Sequence, residues 1–189
     1  MQNGRSGTKY TGSEALMKQL ILGGARSGKS RLAQERASGC GAEVIYIATA
    51  TAGEDSSMAQ RIERHRQNRP QVWQVIEEPL YLADQLREQA SEGRVILVDC
   101  LTLWLTNLLL KDRQLMAEQV DKLQRQLPEL PGQIILVSNE VGLGIVPMGE
   151  LSRTFQDETG LLHQRLAELC DKVTLTVAGL PLELKGADL

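Results

Sequence analysis

The eight residues from Gly23 to Ser30 are the stretch of this chain whose types and spacing most clearly indicate chemistry. They read Gly-Gly-Ala-Arg-Ser-Gly-Lys-Ser, the pattern G-x-x-x-x-G-K-[ST] of a phosphate-binding loop, or P-loop. Its glycines allow backbone N–H groups to face a polyphosphate, and the helix that follows adds its positive end. Lys29 can reach the β- and γ-phosphates, and the Ser30 hydroxyl can bind Mg²⁺. The predicted nucleotide contacts in the loop are Gly23, Gly24, Ala25, Arg26, Ser27, Gly28, Lys29 and Ser30.

A second candidate is the acid that ends the apolar run Val95–Asp99. In P-loop proteins an aspartate in this setting holds Mg²⁺. We therefore expect Asp99 to share a Mg²⁺ ion with Ser30. The alternative is that Asp99 caps the N-terminus of a helix that begins near Leu101.

Residues 56–69 carry four arginines and one of the two histidines, His65. Two interpretations remain open. This segment is either a solvated basic helix with a half-buried histidine, or a phosphate-binding face in which the arginines lower the pKa of His65 and keep it neutral. In the second case His65 is a nucleophile, and its natural electrophile is a phosphate of the bound nucleotide.

Short β-branched runs alternate with longer helical patterns after residue 18. The predicted strands are Leu20–Gly23, Val44–Ala48, Val72–Ile76, Val95–Asp99, Ile134–Ser138 and Val173–Val177. The predicted helices are Lys29–Ala37, Ser56–Gln67, Leu80–Ala90, Leu101–Leu110, Met116–Leu127 and Glu150–Cys170. The alternation predicts an α/β fold with a mostly parallel sheet between helical layers. Gly160 weakens the last helix or marks a close backbone approach.

Further candidates follow the predicted strands, where ligands bind in parallel sheets. Thr49–Thr51 and Glu77–Glu78 are possible nucleotide or metal contacts. The alternative for Glu77 and Glu78 is that they are ordinary surface carboxylates. The glycine-rich apolar segment Ser138–Pro147 predicts a binding loop. The sequence lacks an N-K-x-D guanine motif, which argues against a switch GTPase. His163 is expected to be a helix-surface or core residue.

Composition indicates one globular domain at 18–189, preceded by a flexible extension at 1–17 that resembles neither a signal peptide nor an anchor. A net charge of −3 and an aromatic content of 3% argue against nucleic acid as the main partner. Three scattered cysteines fit a reducing compartment and disfavour a zinc site. No stretch predicts a membrane span, and we expect a cytoplasmic protein.

Several motifs together resemble the bifunctional adenosylcobinamide kinase / adenosylcobinamide-phosphate guanylyltransferases of cobalamin biosynthesis. The matching stretches are the P-loop, Tyr46–Ala50, Arg61–Arg66 with Arg69, Pro70 and Trp73, Asp99–Leu109, and Ser138–Pro147. They run in order over about residues 19–180, nearly the whole chain.

This resemblance implies a three-layer P-loop NTPase (RecA-like) fold, a homotrimer, and GTP, ATP and Mg²⁺ as ligands. It implies phosphorylation of adenosylcobinamide by ATP or GTP, then transfer of GMP from GTP, through a guanylylated His65, to adenosylcobinamide phosphate. Besides the P-loop, the implied nucleotide contacts are Thr49, Ala50, Thr51, Arg66, Gln67, Asn68, Arg69, Glu77 and Asp99.

Two positions differ from the pattern of the family. Arg64 stands where some members have a second histidine, and His163-Gln164 stands where Asn-Gln is frequent. Two other functions remain compatible with the motifs. One is a P-loop small-molecule kinase that forms no covalent nucleotide, and the other is a non-catalytic GTP-binding interaction protein.

Overall fold

The computed structural model describes residues 17–50 and 70–186. The predicted helix Ser56–Gln67 and almost all of the predicted N-terminal extension therefore lie outside the described residues. Within the described ranges the strands are β1 (Lys18–Gly23), β2 (Glu43–Ala48), β3 (Gln74–Glu77), β4 (Arg94–Asp99), β5 (Gln133–Asn139), β6 (Lys172–Val177) and β7 (Leu180–Lys185). The α-helices are α1 (Lys29–Gly39), α2 (Leu82–Gln89), α3 (Leu101–Lys111), α4 (Arg113–Gln126) and α5 (Glu150–Leu169).

The strands form one seven-stranded sheet in the order β3-β2-β4-β5-β1-β6-β7. Six strands are parallel, and β7 runs antiparallel to β6. The carboxyl ends of the parallel strands consequently share one edge, which is where α/β sheets bind ligands. The P-loop follows β1 at this edge.

Each face of the sheet carries its own apolar cluster because successive strand residues point to opposite faces. Leu20 and Leu22 of β1 belong to the cluster under α2, α3, α4 and α5, with Trp104 of α3 fully buried there. Ile21 belongs to the opposite cluster, which includes Ala33 and Ala37 of α1. The described helices thus cover both faces, and the predicted three-layer architecture is confirmed.

The predicted elements that fall within the described residues are all present, with shifted ends. α2 begins at Leu82 instead of Leu80, since Glu78 Oε1 accepts the N–H groups of Leu80 at 2.8 Å and Tyr81 at 2.7 Å and holds a turn there. α4 begins three residues earlier than predicted because Asp112 caps it by accepting from Leu115 N at 2.7 Å. The edge strand β7 was not predicted.

Gly160 lies inside α5, which runs unbroken past it. A Cβ built at this position meets no described atom within 4 Å, so the described residues give no sign of the close backbone approach considered above. The glycine therefore only costs backbone entropy in this helix.

Gly160→Ala is expected to raise the free energy of unfolding by about 0.5–1 kcal/mol, because alanine restricts the unfolded chain and favours the helix. Urea unfolding followed by circular dichroism measures this difference. Gly28→Ala is the opposing control, since Gly28 has a φ of 98° and should lose stability on the same substitution. A destabilised Gly160→Ala would contradict this account of α5.

Candidate nucleotide-binding site

The P-loop connects the buried strand β1 to α1, with Gly28 at the N-cap position in a left-handed conformation (φ 98°). Gly24, Ala25 and Arg26 are exposed, while Lys29 is only 8% exposed and donates from Nζ to Gly24 O at 3.1 Å. The lysine therefore reaches back across the loop. Burial lowers the pKa of Lys29, and the charge of Asp99 opposes this shift.

The hairpin between β6 and β7 packs directly on the P-loop. Ser27 Oγ lies 2.8 Å from Thr176 Oγ1, and Gly179 N donates to Ser27 O at 2.9 Å. Thr176 Oγ1 itself donates to Leu22 O at 3.0 Å, so it accepts from Ser27. The Ser27 side chain is thus turned toward β6, although the sequence predicted it as a nucleotide contact.

Two glycines of the loop are required by this packing. A Cβ on Gly23 would lie 2.3 Å from Thr176 Oγ1, and one on Gly28 would lie 3.1 Å from Gly179 Cα. The loop and the hairpin approach one another more closely than side chains would permit. A Cβ on Gly24, in contrast, meets no described atom within 4 Å, so the exposed side of the loop is open for phosphate.

Asp99 ends β4, which is separated from β1 by β5. Tyr46 donates from its hydroxyl to Asp99 Oδ2 at 3.0 Å. Asp99 is not the N-cap of α3, because Cys100 occupies that position. The capping alternative is therefore wrong. The carboxylate instead lies close enough to Lys29 for its charge to raise the pKa of that lysine against desolvation.

Thr49 links the ends of β2 and β4. It is fully buried, and its hydroxyl donates to Cys100 O at 2.7 Å and accepts from Cys100 N at 3.0 Å. Asn107 of α3 donates to Thr49 O at 2.8 Å and to Pro79 O at 3.2 Å. The side chain of Thr49 thus holds the sheet edge together, and Asn107 ties α3 to the same edge.

The remaining predicted contacts divide into two groups. Ala50 is half-buried just past the end of β2, and Glu77 is exposed at the end of β3. Thr51, His65, Arg66, Gln67, Asn68 and Arg69 lie outside the described residues. The structure therefore brings Asp99 close to Lys29 of the P-loop and places the ends of β2 and β3 further along the same edge of the sheet.

The segment that follows β5 lies beside the P-loop, since Glu140 N donates to Gly23 O at 3.0 Å. His163 is buried, so of the two expected positions, helix surface or core, it occupies the core. Its Nε2 lies 2.7 Å from Ser138 Oγ. Burial lowers the pKa of His163, and nearby Glu140 opposes the shift. Past this point the chain exposes apolar side chains, among them Leu143, Ile145, Val146 and Met148.

Sequence reasoning missed four polar residues that organise this edge, namely Tyr46, Asn107, Glu140 and Thr176. Tyr46, Asn107 and Thr176 each act on a partner far away in the chain, and no local pattern marks such a pair. Glu140 contacts both its neighbours Gly142 and Leu143 and the distant His163. A signal did exist for the hairpin that carries Thr176. Gly179 precedes the alternating residues Leu180, Leu182 and Leu184, which is typical of a turn followed by a strand.

Within the described residues no three His, Cys, Asp or Glu side chains form a group that could hold a metal ion. In the same part of the chain, none of the helices has the length and apolarity needed to cross a membrane.

The loop, the mostly parallel sheet and the carboxylate at the end of β4 define a P-loop NTPase of the RecA-like type. Two solved structures share this fold. The flagellar accessory protein FlaH from Methanocaldococcus jannaschii has a TM-score of 0.52 at 14% identity, covering 91% of this chain and 79% of its own. A Pyrococcus horikoshii protein, PH0250, has a TM-score of 0.54 at 8% identity, with coverages of 93% and 89%.

The chain belongs to the CobU family, cobinamide kinase / cobinamide phosphate guanyltransferase, whose model matches residues 19–184. It is 60% identical to the bifunctional adenosylcobalamin biosynthesis protein CobP of Pseudomonas aeruginosa, over 92% of this chain and 100% of that protein. It is 38% identical to the corresponding CobU of Escherichia coli, over 88% of this chain and 98% of that protein. The chain is accordingly an enzyme, a kinase and nucleotidyltransferase, as the sequence motifs predicted.

Thr176→Val is expected to destabilise the protein by about 1–3 kcal/mol, because it leaves the buried Ser27 hydroxyl without an acceptor. Urea unfolding of Thr176→Val, Ser27→Ala and the double variant forms a thermodynamic cycle. We expect the double variant to lose less than the sum of the single losses. Strictly additive losses would show that the two hydroxyls do not interact.

Proposed function

We propose that this chain carries out both reactions of its family on a nucleotide held by the P-loop, as a step of adenosylcobalamin biosynthesis. The observation that supports this most directly is the buried, loop-spanning position of Lys29 beside Asp99. A lysine in that position can neutralise phosphate charge from within the loop. Relatives at 60% and 38% identity over nearly the whole chain bear the name of bifunctional adenosylcobalamin biosynthesis proteins.

The donor set at this edge suits Mg²⁺. The Asp99 carboxylate and the Ser30 hydroxyl are hard oxygen ligands, and Mg²⁺ is commonly bound by one or two carboxylates together with substrate phosphates. When bound, the ion would offset charge on the phosphate oxygens. Ser30 is the second residue of α1, so its backbone also lies at the positive end of that helix.

In the first reaction the aminopropanol hydroxyl of adenosylcobinamide attacks the γ-phosphorus of ATP or GTP. The bond from the γ-phosphorus to the bridging oxygen breaks, and the nucleoside diphosphate leaves with that oxygen. Lys29 and the P-loop amides hold the phosphates and stabilise charge in the transition state. The hydroxyl proton passes to a base or to solvent.

In the second reaction an imidazole nitrogen of His65 attacks the α-phosphorus of GTP, and pyrophosphate leaves. A phosphate oxygen of adenosylcobinamide phosphate then attacks the same phosphorus and releases His65, giving adenosylcobinamide-GDP. Covalent catalysis of this kind divides one difficult displacement into two easier ones. We assign Arg66, Gln67, Asn68 and Arg69, with Thr51, as nucleotide contacts around this nucleophile.

The proposal includes Thr49, Ala50 and Glu77 as contributors to the nucleotide edge, with Thr49 acting through its backbone because both hydrogen bonds of its hydroxyl go to Cys100. It also includes a homotrimer and a cytoplasmic location, which rest on the resemblance and on composition. Sedimentation analysis of the purified protein measures its oligomeric state and so tests the homotrimer.

Incubation with GTP labelled at the α-phosphate is expected to leave acid-labile, base-stable label on the wild-type protein, as a phosphoramidate would. His65→Ala should abolish the label because the nucleophile is lost, while γ-phosphoryl transfer to adenosylcobinamide continues. His163→Ala is the matched control, since His163 is the other histidine of the chain, and it should retain the label.

Two results would contradict this assignment. Undiminished label in His65→Ala would exclude His65 as the nucleophile. Phosphorylation of adenosylcobinamide by a wild-type protein that takes up no label would instead indicate a small-molecule kinase.

Asp99→Asn is expected to raise the Mg²⁺ concentration needed for half-maximal γ-phosphoryl transfer by at least about a hundredfold, because the ion loses a charged ligand. Tyr46→Phe removes only the hydroxyl that donates to Asp99 and should raise this Mg²⁺ concentration by about tenfold. A Mg²⁺ titration of initial rates gives both values. Equal midpoints in Asp99→Asn and wild type would remove Asp99 from the metal site.

A further inference from the structure

Glu140, in the loop after β5, contacts the P-loop strand β1, its own loop and helix α5. Its backbone N donates to Gly23 O at 3.0 Å. Its Oε1 accepts from Gly142 N at 2.5 Å and from Leu143 N at 3.1 Å. Its Oε2 lies 3.7 Å from His163 Nδ1. The carboxylate therefore closes a turn over residues 140–143, and one of its oxygens faces the imidazole.

A side chain at Gly142 would crowd the Glu140 carboxylate. A Cβ there would lie 3.0 Å from Glu140 Oε1, which is tighter than ordinary packing. The close approach lets the Gly142 amide reach the carboxylate. The geometry of the turn thus depends on where the Glu140 carboxylate is held.

His163 faces that carboxylate from a fixed position. Its side chain is 9% exposed and that of Glu140 is 20% exposed, so both groups are largely removed from water. The imidazole therefore faces Glu140 with Nδ1, at 3.7 Å, and the Ser138 hydroxyl with Nε2. The Ser138 contact of 2.7 Å joins the imidazole to the buried strand β5 and fixes the orientation of its ring.

A second residue of α5 holds the same turn. Gln156 donates from Nε2 to Val141 O at 3.1 Å, and it lies seven residues before His163, or about two helical turns on the same side of α5. The exposed apolar segment from Leu143 to Met148 leaves the turn directly afterwards. Two side chains of one rigid helix therefore determine where this segment starts.

We propose that His163 is a positioning residue, which through Glu140 fixes the turn at 140–143 and so sets the apolar segment 143–148 beside the P-loop as a contact surface for the acceptor substrate. The acceptor part rests on the proposed function. A corrinoid acceptor is large, and the methyl groups on its ring edge can pack on exposed aliphatic side chains beside the phosphate site. The role of His163 is indirect, because it acts on the substrate only by way of the turn.

Three substitutions separate the two contacts of the imidazole. His163→Asn places a polar group near the position of Nδ1, which faces Glu140. His163→Gln places one near the position of Nε2, which faces Ser138. His163→Leu keeps comparable volume without either contact. Leu166→Ala is the structural control, because Leu166 is a fully buried core residue of α5 and its truncation should destabilise the protein.

The first measurement is amide hydrogen exchange of Gly142 and Leu143, resolved by NMR on the whole protein. Exchange at these two amides is expected to be about tenfold faster in His163→Leu than in wild type, since the carboxylate that holds them is released. His163→Asn should retain most of the protection. Unchanged exchange in His163→Leu would overturn the positioning role, as would the same acceleration in Leu166→Ala.

The second measurement is the steady-state rate of phosphorylation of adenosylcobinamide, with GTP affinity measured separately by calorimetry. His163→Leu is expected to raise the KM for adenosylcobinamide by about tenfold and to leave the dissociation constant of GTP unchanged. His163→Asn should restore the wild-type KM, and His163→Gln should not. A wild-type KM in His163→Leu, or an effect on GTP alone, would overturn the acceptor role.

Failure of the proposed function gives a different pattern. If the wild-type protein does not phosphorylate adenosylcobinamide, the acceptor role falls with the proposed function. The exchange measurement then decides the positioning of the turn by His163 without reference to activity.

Discussion

The close packing of the P-loop on the β6–β7 hairpin is the constraint on which the rest of the site depends. Gly23 and Gly28 let the backbone of the loop approach the hairpin closely. A Cβ on Gly23 would collide with Thr176 Oγ1 at 2.3 Å, and a Cβ on Gly28 would crowd Gly179 Cα at 3.1 Å. The Ser27 hydroxyl then donates to the Thr176 hydroxyl, which in turn donates to Leu22 O. A phosphate-binding loop must hold its N–H groups in place before the ligand arrives, and this contact contributes to that preorganisation.

The sheet order determines the electrostatics of the same loop. Because β5 lies between β1 and β4, the Asp99 carboxylate ends a strand that is not the immediate neighbour of the P-loop strand, yet its charge still acts on Lys29. Lys29 is buried enough for desolvation to lower its pKa, and Asp99 restores part of the charge. A triphosphate would favour the charged lysine further, so the cationic state is reinforced when substrate is present.

Local sequence patterns predicted the P-loop, the six parallel strands and the acid that ends β4, because each of these features depends on a short continuous stretch of residues. The contacts that organise the site could not be found this way. Ser27 and Thr176 are 149 positions apart in the chain, and their pairing follows only from the strand order. β7 was missed for another reason, since its alternation is short and Pro181 counts against a strand unless that strand lies at an edge. The segment with His65 stays a prediction from sequence and resemblance.

Two reactions at different phosphorus atoms of one nucleotide require a phosphate-binding loop that is held in the same position in both reactions. The described part of the site has this property, since the loop is held by β1 and β6 and its neighbour Glu140 is held by α5. In the proposed function the phosphates are fixed, and the bond that breaks is decided by which nucleophile is in line with it, a corrinoid hydroxyl at the γ-phosphorus or the imidazole of His65 at the α-phosphorus. If the turn at 140–143 sets the acceptor surface as we propose, selectivity between the two reactions belongs to the acceptor side of the site.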